Sequence, residues 1–477
     1  METPSDLGPY RDKRDFASTP EPAGDDPAAA NGDSAPRFVV QEHHASSLHW
    51  DLRLERDGAL ASWALPRGLP PHPDRNHLAV RTEDHPLEYL DFHGEIPAGA
   101  YGAGTMTIWD HGTYEMHKWR EGEVMVTLHG ERVQGRYVIF PTGDKSSMIH
   151  RMDPPQDPGR GVMPDEGRPM LATAGPVPAD DAGWSFEFKW DGVRALAFCS
   201  GGRLKLRSRS GRDVTATYPE LRGLAEALGS TEVVLDGEVV AFDGQRTSFE
   251  KLQQRMNVTD ARRIERLRRE VPVAFYAFDV VWFEGRDVTG EPLEARREIL
   301  AGLDLRGPHW SGSLVSPVSA PLLELAKAQR FEGIVAKRLG STYRPGRRSP
   351  DWIKVKLVKR TSLVVGGWLG GDGGRLGKLG ALCVGFYEAG VLHYAGRVGT
   401  GFTEAELTRV AGILAPLATD DSPFTGRQPP RAATFVRPEL VAEVEYLEWT
   451  TTRTLRAPSY KGLRDDLDPA DVLFEDG

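Results

Sequence analysis

Cysteine is nearly absent: the 477-residue chain has 2, Cys199 and Cys383, far apart in sequence. That excludes a disulfide scaffold and a four-cysteine zinc site, and it fits a reducing cytoplasm. Long hydrophobic runs are also missing. No stretch reaches membrane-spanning length, and the polar N-terminus has no signal-peptide pattern. Nor is there an excess of positive charge. The 59 Lys and Arg against 69 Asp and Glu give a net charge of −10, so nucleic-acid binding would need local basic patches. Two stretches qualify, Lys354 with Lys356, Lys359 and Arg360, and the segment 452–464. No internal repeat or heptad is present. What remains is an ordinary globular composition, 39% apolar and 27% charged, long enough for about two to four domains.

Residues 1–36 are polar and rich in Pro, Ala, Asp and Gly, which predicts an arm without regular structure. Next, the run from Leu48 to Glu55 alternates strictly. Trp50, Leu52 and Leu54 face a core, and His49, Asp51 and Arg53 share the other face. Further strands are expected near 62–65, 76–81, 104–110, 123–128 and 135–140, separated by Gly and Pro clusters. This predicts a small all-β domain, a compact barrel. With His43 just upstream, His49 and Asp51 make two imidazoles and a carboxylate, the donors of a facial triad that can hold a divalent metal. Arg53 suits a phosphate, and His85 and Tyr89 can add acid–base and phosphate contacts. A polar strand face with histidines meeting solvent is the bland alternative. It suits a single histidine better than this ordered set.

The Pro- and Gly-rich stretch 154–183 predicts a linker and an entry segment, with a boundary near residue 158. Beyond it lies the stretch around which the chain is organised. Trp184, Phe186, Phe188 and Trp190 alternate with Glu187, Lys189 and Asp191, and Gly192 and Arg194 follow. The pattern suits a lysine nucleophile, because a buried or cation-flanked lysine gives up its proton more readily. Helices are expected at 219–228, 260–269, 293–303 and 321–329. Strands set Glu238, Phe278, Glu332, Lys354 and Lys356 in otherwise apolar runs, which suggests one pocket for phosphate and metal. After Arg360, strands near 362–369, 380–387, 391–398 and 440–449 surround one helix, opened by Thr403 and Glu406 at capping-box spacing. A small Greek-key barrel of the OB type, with a basic groove for nucleic acid, fits.

In this order, Lys189 with Asp191, Gly192 and Arg194, followed by the later polar strands, resembles the motifs of covalent nucleotidyltransferases over residues 170–477. These are the ATP-dependent polynucleotide ligases and the mRNA capping enzymes. The whole chain further resembles the bacterial ligase D family of non-homologous end joining, through the run from Gln41 to Glu55 and the stretch from Arg456 to Arg464. The resemblance implies a 3′-phosphoesterase domain at 1–157 with a flexible arm at 1–36, and a linker at 158–169. An α+β adenylation domain at 170–358 and an OB-fold domain at 359–477 would follow.

It also implies roles. Lys189 attacks the α-phosphorus of ATP and carries AMP. Glu187 lies by the adenine, with Phe278 stacked on it. Arg194 and Arg209 contact ribose and phosphate, and Glu238 and Glu332 serve Mg2+ or Mn2+, or the ribose. Lys354 and Lys356 neutralise charge on the α-phosphate. Arg456, Lys461 and Arg464 swing over the site to orient pyrophosphate, with a hinge at 358–361. In the N-terminal domain His43, His49 and Asp51 would hold Mn2+, and Arg53, His85 and Tyr89 would handle phosphate. Asp15 and Glu21 match an N-terminal element that orders over that site. Two positions depart from the family pattern: Arg67 stands where a lysine is usual, and His77 where an arginine is usual. The usual lysine-terminated strand at the end of this domain is also lacking.

The polymerase domain of many family members does not fit the remaining length. The implied partners are therefore double-stranded DNA with nicks or broken ends, a Ku-type end-binding protein and a separate repair polymerase. The expected setting is a monomer in the bacterial cytoplasm, with the nucleoid during repair and without a membrane. A GTP-using capping enzyme or RNA ligase shares Lys189 but leaves the N-terminal domain unexplained. A non-catalytic DNA-end scaffold predicts no covalent nucleotide, and the missing zinc cysteines disfavour an NAD-dependent ligase.

Overall fold

The structure is a computed structural model and describes residues 7–24, 35–120, 122–142, 146–244, 246–329, 331–357, 359–371, 379–446 and 448–474. The first sheet closes on itself. Arg37–His44, Leu48–Arg56, Ala59–Leu65, His77–Arg81, Ser147–Arg151, Gln134–Pro141, Glu123–Gly130 and Gly104–Arg120 are neighbours in that order, and the last pairs back with the first. Alternation fills the interior with Trp50, Leu52 and Leu54, which meet Phe38, Trp63, Leu128 and Ile149. The strand expected at 104–110 runs on to Arg120. Beyond Thr113 it pairs with Glu123–Gly130, where Tyr114 is buried but Glu115, Met116 and His117 are all exposed, so the alternation that would mark a strand fades.

The outer face of this barrel is covered. Residues 7–24 are not the structureless arm that composition predicted. Gly8–Arg11 is a short helix, and Tyr10 is fully buried and donates its hydroxyl to the Pro22 carbonyl at 2.5 Å. One buried ring and a few ion pairs suffice to order a segment whose average composition is polar. Residues 1–6 and 25–34 of the expected arm lie outside the described residues. The expected linker is packed as well. Met163 joins Leu196, Phe198, Val234 and Trp282, and Arg160 pairs with Glu232 and Glu284.

The next unit holds two sheets. In one, Leu171–Ala174, Arg348–Lys356, Gly333–Arg338, Trp184–Lys189 and Val315–Ser316 are neighbours. In the other, Arg203–Ser208, Val193–Ser200, Val233–Asp243, Val273–Phe283 and Arg286–Asp287 are. Helices Arg222–Leu228, Ala261–Glu270, Leu293–Gly302 and Ser319–Gln329 lie close to expectation, although Pro219–Leu221 is a 3-10 turn. A further helix, Phe249–Gln253, is capped by Ser248.

The C-terminal sheet is built on Arg360–Gly370, flanked by Leu379–Glu388 and Thr434–Glu445. The last strand begins before the expected 440. Pro438, between Arg437 and Glu439, sits where the ladder skips from Leu440 to Phe435, a bulge that interrupts the alternation. Glu448–Trp449 leaves this strand and pairs with Leu455–Arg456. The expected capping box is half formed on helix Glu404–Leu414. Thr403 accepts from the Glu406 amide at 3.2 Å, but the Glu406 carboxylate is taken by Arg409 and by the Tyr460 hydroxyl at 2.7 Å. Among the described residues no helix is long and apolar enough to cross a membrane.

Candidate active sites

Strand register assembles the first site. Across three antiparallel strands Lys189, Gly333 and Lys356 form one row, Glu187, Val335 and Lys354 the next, and Ser185, Lys337 and Trp352 a third. Paired residues share a face, so two expected lysines come beside Lys189. The facing sheet sets Arg194, Glu238 and Tyr276 in one row. Gly192 makes the turn between them possible, because a side chain there would fall 2.2 Å from the Val239 carbonyl oxygen. Together these walls enclose a pocket of about 220 Å³ lined by Lys189, Glu187, Arg194, Arg209, Glu238, Phe278, Glu332, Lys354 and Lys356.

The electrostatics of Lys189 differ from expectation. It pairs with Glu332, and the charges that act on it most strongly are anions. Burial works against its charge, yet Glu332, with Asp191 and Glu238 behind it, holds the ammonium above its usual range. Lys189 is therefore a protonated, oriented amine here and must lose that proton before it can attack. Burial pushes the Glu238 carboxyl up to about 8 against the pull of Arg194 and Lys189. Arg194 is fixed by two 2.6 Å bonds to Asp236, which also accepts from the Tyr343 hydroxyl at 2.6 Å. Phe278 is met by cations, Lys337 at 4.2 Å and Arg194 at 4.4 Å from its ring centre.

Several participants escaped the sequence. Lys337 binds Glu187 at 2.6 Å, and Arg297 binds Glu187 too. Lys337 is in alternation with Gly333 and Val335, and that period was the available signal. Arg360, at the head of the C-terminal sheet, pairs with Asp191 and with Glu445 at 3.2 Å. Lys356 donates to its carbonyl. Nothing in the local sequence marked that link. Of the three expected closure residues, Arg464 lines the pocket, held by Asp466 at 2.7 Å and Glu443 at 3.4 Å. Lys461 lies 3.5 Å from Glu445, and neither it nor the exposed Arg456 lines the pocket. Val358 of the expected hinge lies outside the described residues.

The second site is on the outer face of the barrel. The candidate ligand atoms of His43, His49 and Asp51 all lie within 4.8 Å of one another. The His43 Nε2–H donates to the Gly102 carbonyl at 2.9 Å, and the His49 Nδ1–H to the Ser47 carbonyl at 3.0 Å. Carbonyls only accept, so these bonds leave Nδ1 of His43 and Nε2 of His49 with free lone pairs toward Asp51, 3.7 and 3.8 Å away. Burial disfavours charge on Asp51, but the Arg53 guanidinium holds its carboxyl below the usual range. Two imidazole nitrogens and a carboxylate converging in this way suit a divalent cation.

Arg53 is buried, anchored to Gln41 at 2.7 Å, Ser62 at 3.1 Å and Asp51 at 3.0 Å, with its guanidinium 4.7 Å from the Tyr89 ring centre. Burial, then Arg53 and Arg14, push the His85 imidazole well below its usual range, so it rests neutral. Its Nδ1–H donates to the Glu83 carbonyl at 2.9 Å, which leaves Nε2 as a base 3.4 Å from Arg14. Tyr89 donates to Glu21, which Arg14 also holds at 2.6 Å. Glu21 of the arm thus reaches the site. Asp15 instead caps its own turn, accepting from the Ala17 amide at 3.1 Å. Arg14, Glu83 and Gln41 had no role in the sequence reading. Arg67 and His77 line a different groove, and the His77 Nδ1–H donates to the Gly68 carbonyl at 2.9 Å.

Three family profiles match the chain: DNA Ligase D 3'-phosphoesterase domain over 41–141, ATP dependent DNA ligase domain over 169–356, and ATP dependent DNA ligase C terminal region over 375–467. The multifunctional non-homologous end joining protein LigD of Mycolicibacterium smegmatis is 45% identical over 98% of this chain and 61% of its own length. DNA ligase C of Mycobacterium tuberculosis is 32% identical over 66% of this chain and 94% of its own length. A solved mycobacterial DNA ligase D, complexed with ATP and MES, is 40% identical over 65% of this chain and 98% of its own, with a TM-score of 0.48. The chain spans about three-fifths of the LigD relatives it matches. The class is thus that of chains with an ATP-dependent DNA ligase domain and a ligase D 3′-phosphoesterase domain ahead of it. The chain belongs to the ligase D family.

Proposed function

We propose that this chain seals breaks in double-stranded DNA through a lysyl-AMP intermediate, and that its barrel first clears blocked 3′ ends. The setting of Lys189 carries the reading: an oriented amine beside an acid that can take up a metal, with Lys356 in its own row and Lys354 in the next. The Lys189 Nζ loses its proton and attacks the α-phosphorus of ATP. A P–N bond forms and the bond to pyrophosphate breaks. AMP then passes to the 5′-phosphate of a nick, and the 3′-hydroxyl attacks that phosphate and releases AMP. Phosphoryl transfer is mostly positioning plus charge stabilisation. Lys354 and Lys356 supply positive charge at the α-phosphate. Glu187, fixed by Lys337 and Arg297, lies at the adenine with Phe278, and Arg194 and Arg209 reach ribose and phosphate. Mg2+ or Mn2+ at Glu238 and Glu332 would neutralise phosphate oxygens. Arg464, with Lys461 and Arg456, orients pyrophosphate when the C-terminal domain closes about the stretch 358–361.

In the barrel His43, His49 and Asp51 fit Mn2+, which would polarise a 3′-phosphate. Arg53 clamps its oxygens, His85 receives a proton at Nε2, and Tyr89 steadies both. The working units are the phosphoesterase domain at 1–157, the adenylation domain at 170–358 and the OB domain at 359–477. The reading also pairs the chain with a Ku-type end-binding protein and a repair polymerase in the bacterial cytoplasm. The test is sealing of a nicked duplex with ATP. Wild type seals it and Lys189→Ala does not. Sealing that needs no ATP, or survives the substitution, overturns the reading.

A further inference from the structure

A groove of about 630 Å³ runs between the barrel and the adenylation unit. One wall carries Ser47 and Leu48, next to His49 in the chain, with Arg67 and Arg75. The other carries Arg203, Lys205 and Arg222. The two halves touch through backbone here. A side chain on Gly202 would fall 2.8 Å from Leu48, and one on Gly201 would fall 2.9 Å from the Arg67 carbonyl oxygen. Both glycines have positive φ, +53° and +66°, so this hairpin is shaped to fit against the barrel. Arg203 follows directly and is set at the seam.

The acids in the groove do not balance these cations. Glu232 is taken by Arg160, and Asp165 lies 3.2 Å from Arg75, which leaves Glu226. The side chains of Arg67, Arg203 and Arg222 make no hydrogen bond or ion pair among the described residues. Like charges crowd one another. Burial, then Arg203 and Arg75, push the Arg67 guanidinium below its usual range. An anion would relieve that repulsion. One strand connects the groove to the pocket around Lys189. Strand Arg203–Ser208 starts in it, and Arg209 just past its end lines the pocket. Six residues of strand span about 20 Å, close to six nucleotides of one DNA strand at about 3.4 Å each.

We propose that this seam binds the phosphodiester backbone of a nucleic-acid strand, with Arg203 and Arg222 of the adenylation unit gripping a strand whose 3′ end lies at the barrel's metal site. The ligase half then serves as a track for end processing as well as for sealing. This rests on DNA being the substrate.

The test uses the full chain and Arg203→Ala/Arg222→Ala, two exposed residues outside both catalytic pockets. Anisotropy of a 5′-fluorescein DNA strand ending in 3′-phosphate is followed across a salt series. Each lost phosphate contact lowers the slope of log K against log salt by about 0.7 on a single strand, so the double variant should lose about 1.4. Arg203→Lys/Arg222→Lys should restore most of it, and labelling by ATP should stay at the wild-type level in both. An unchanged slope overturns the proposal. So does a loss that the lysine variant does not rescue, because charge is then not what binds. Inorganic pyrophosphate is titrated in parallel. If it binds the wild type and the double variant abolishes that binding while DNA affinity holds, the seam is a small-anion pocket and the strand assignment is wrong. A wild type that labels with ATP but binds no DNA would sink the ligase reading itself.

Discussion

Lys354 and Lys356 share a face with Lys189, yet their charge matters most as the α-phosphate becomes crowded with negative charge. Loss of either should lower kcat for adenylation by about 10²–10³ and move KM little. Single-turnover labelling against ATP concentration checks this, and an effect confined to KM contradicts it. Glu238 gives a pH signature. The folded chain holds a proton there up to about 8, against 4.5 for the ordinary carboxyl. The stability this proton contributes is fully present below pH 4.5 and is lost as pH rises through 8. A cation needs the ionised form, so metal affinity should climb with pH toward about 8 and release a proton on binding. Titration calorimetry in buffers of different ionisation heat should show that release in wild type, and less of it in Glu238→Gln. At this scale the sequence was most legible where chemistry follows period two, as for Lys189, Lys354 and Lys356. It was silent on Asp191–Arg360, Asp236–Tyr343 and Glu187–Arg297, because each pair joins segments that only the fold brings together.

At the scale of elements, the strand Leu48–Arg56 separates packing from chemistry. Trp50, Leu52 and Leu54 fill the barrel, whereas His49 and Asp51 point to the other face. His49→Ala should therefore melt near wild type, lose Mn2+ binding, and leave a nick ending in 3′-phosphate unsealed while it still seals a 3′-hydroxyl nick. If wild type fails on the blocked nick with Mn2+ present, the barrel is not an end-processing site. The arm behaves differently. Glu21→Ala would leave the buried Tyr89 hydroxyl without its acceptor and Arg14 with Glu83 as its remaining acid, a loss of about 1–3 kcal/mol for the unsatisfied buried group. It should loosen residues 7–24 and lower phosphoesterase activity with no effect on ATP labelling. Proteolysis of the arm would report it. The strand alternation of this barrel could be read from sequence. The arm could not, since polar composition conceals Tyr10 and the Arg14–Glu21 pair.

Across the whole molecule, the halves are joined more closely than a Pro- and Gly-rich stretch suggested. Trp109 of the barrel donates to Ser230 at 3.0 Å, and Arg75 to the Met163 carbonyl at 3.0 Å. A fragment from residue 158 keeps Met163 and Arg160 on the adenylation sheet, and one from 169 loses both. Burial of a Met side chain alone is worth about 1.5–3 kcal/mol. Both fragments should label with ATP, with the shorter melting several degrees lower. Equal melting temperatures would mean that the 158–168 stretch is a spacer after all.

The central claim is that Lys189 carries AMP. It is tested most directly by incubating the full chain with ATP labelled at the α-phosphate, denaturing it, and mapping the labelled peptide. The account predicts an acid-labile adduct on Lys189, formed with ATP and not with GTP, discharged by pyrophosphate, and absent from Lys189→Ala and Lys189→Arg. A labelled Lys189→Ala protein, or an adduct on any other residue, would contradict it.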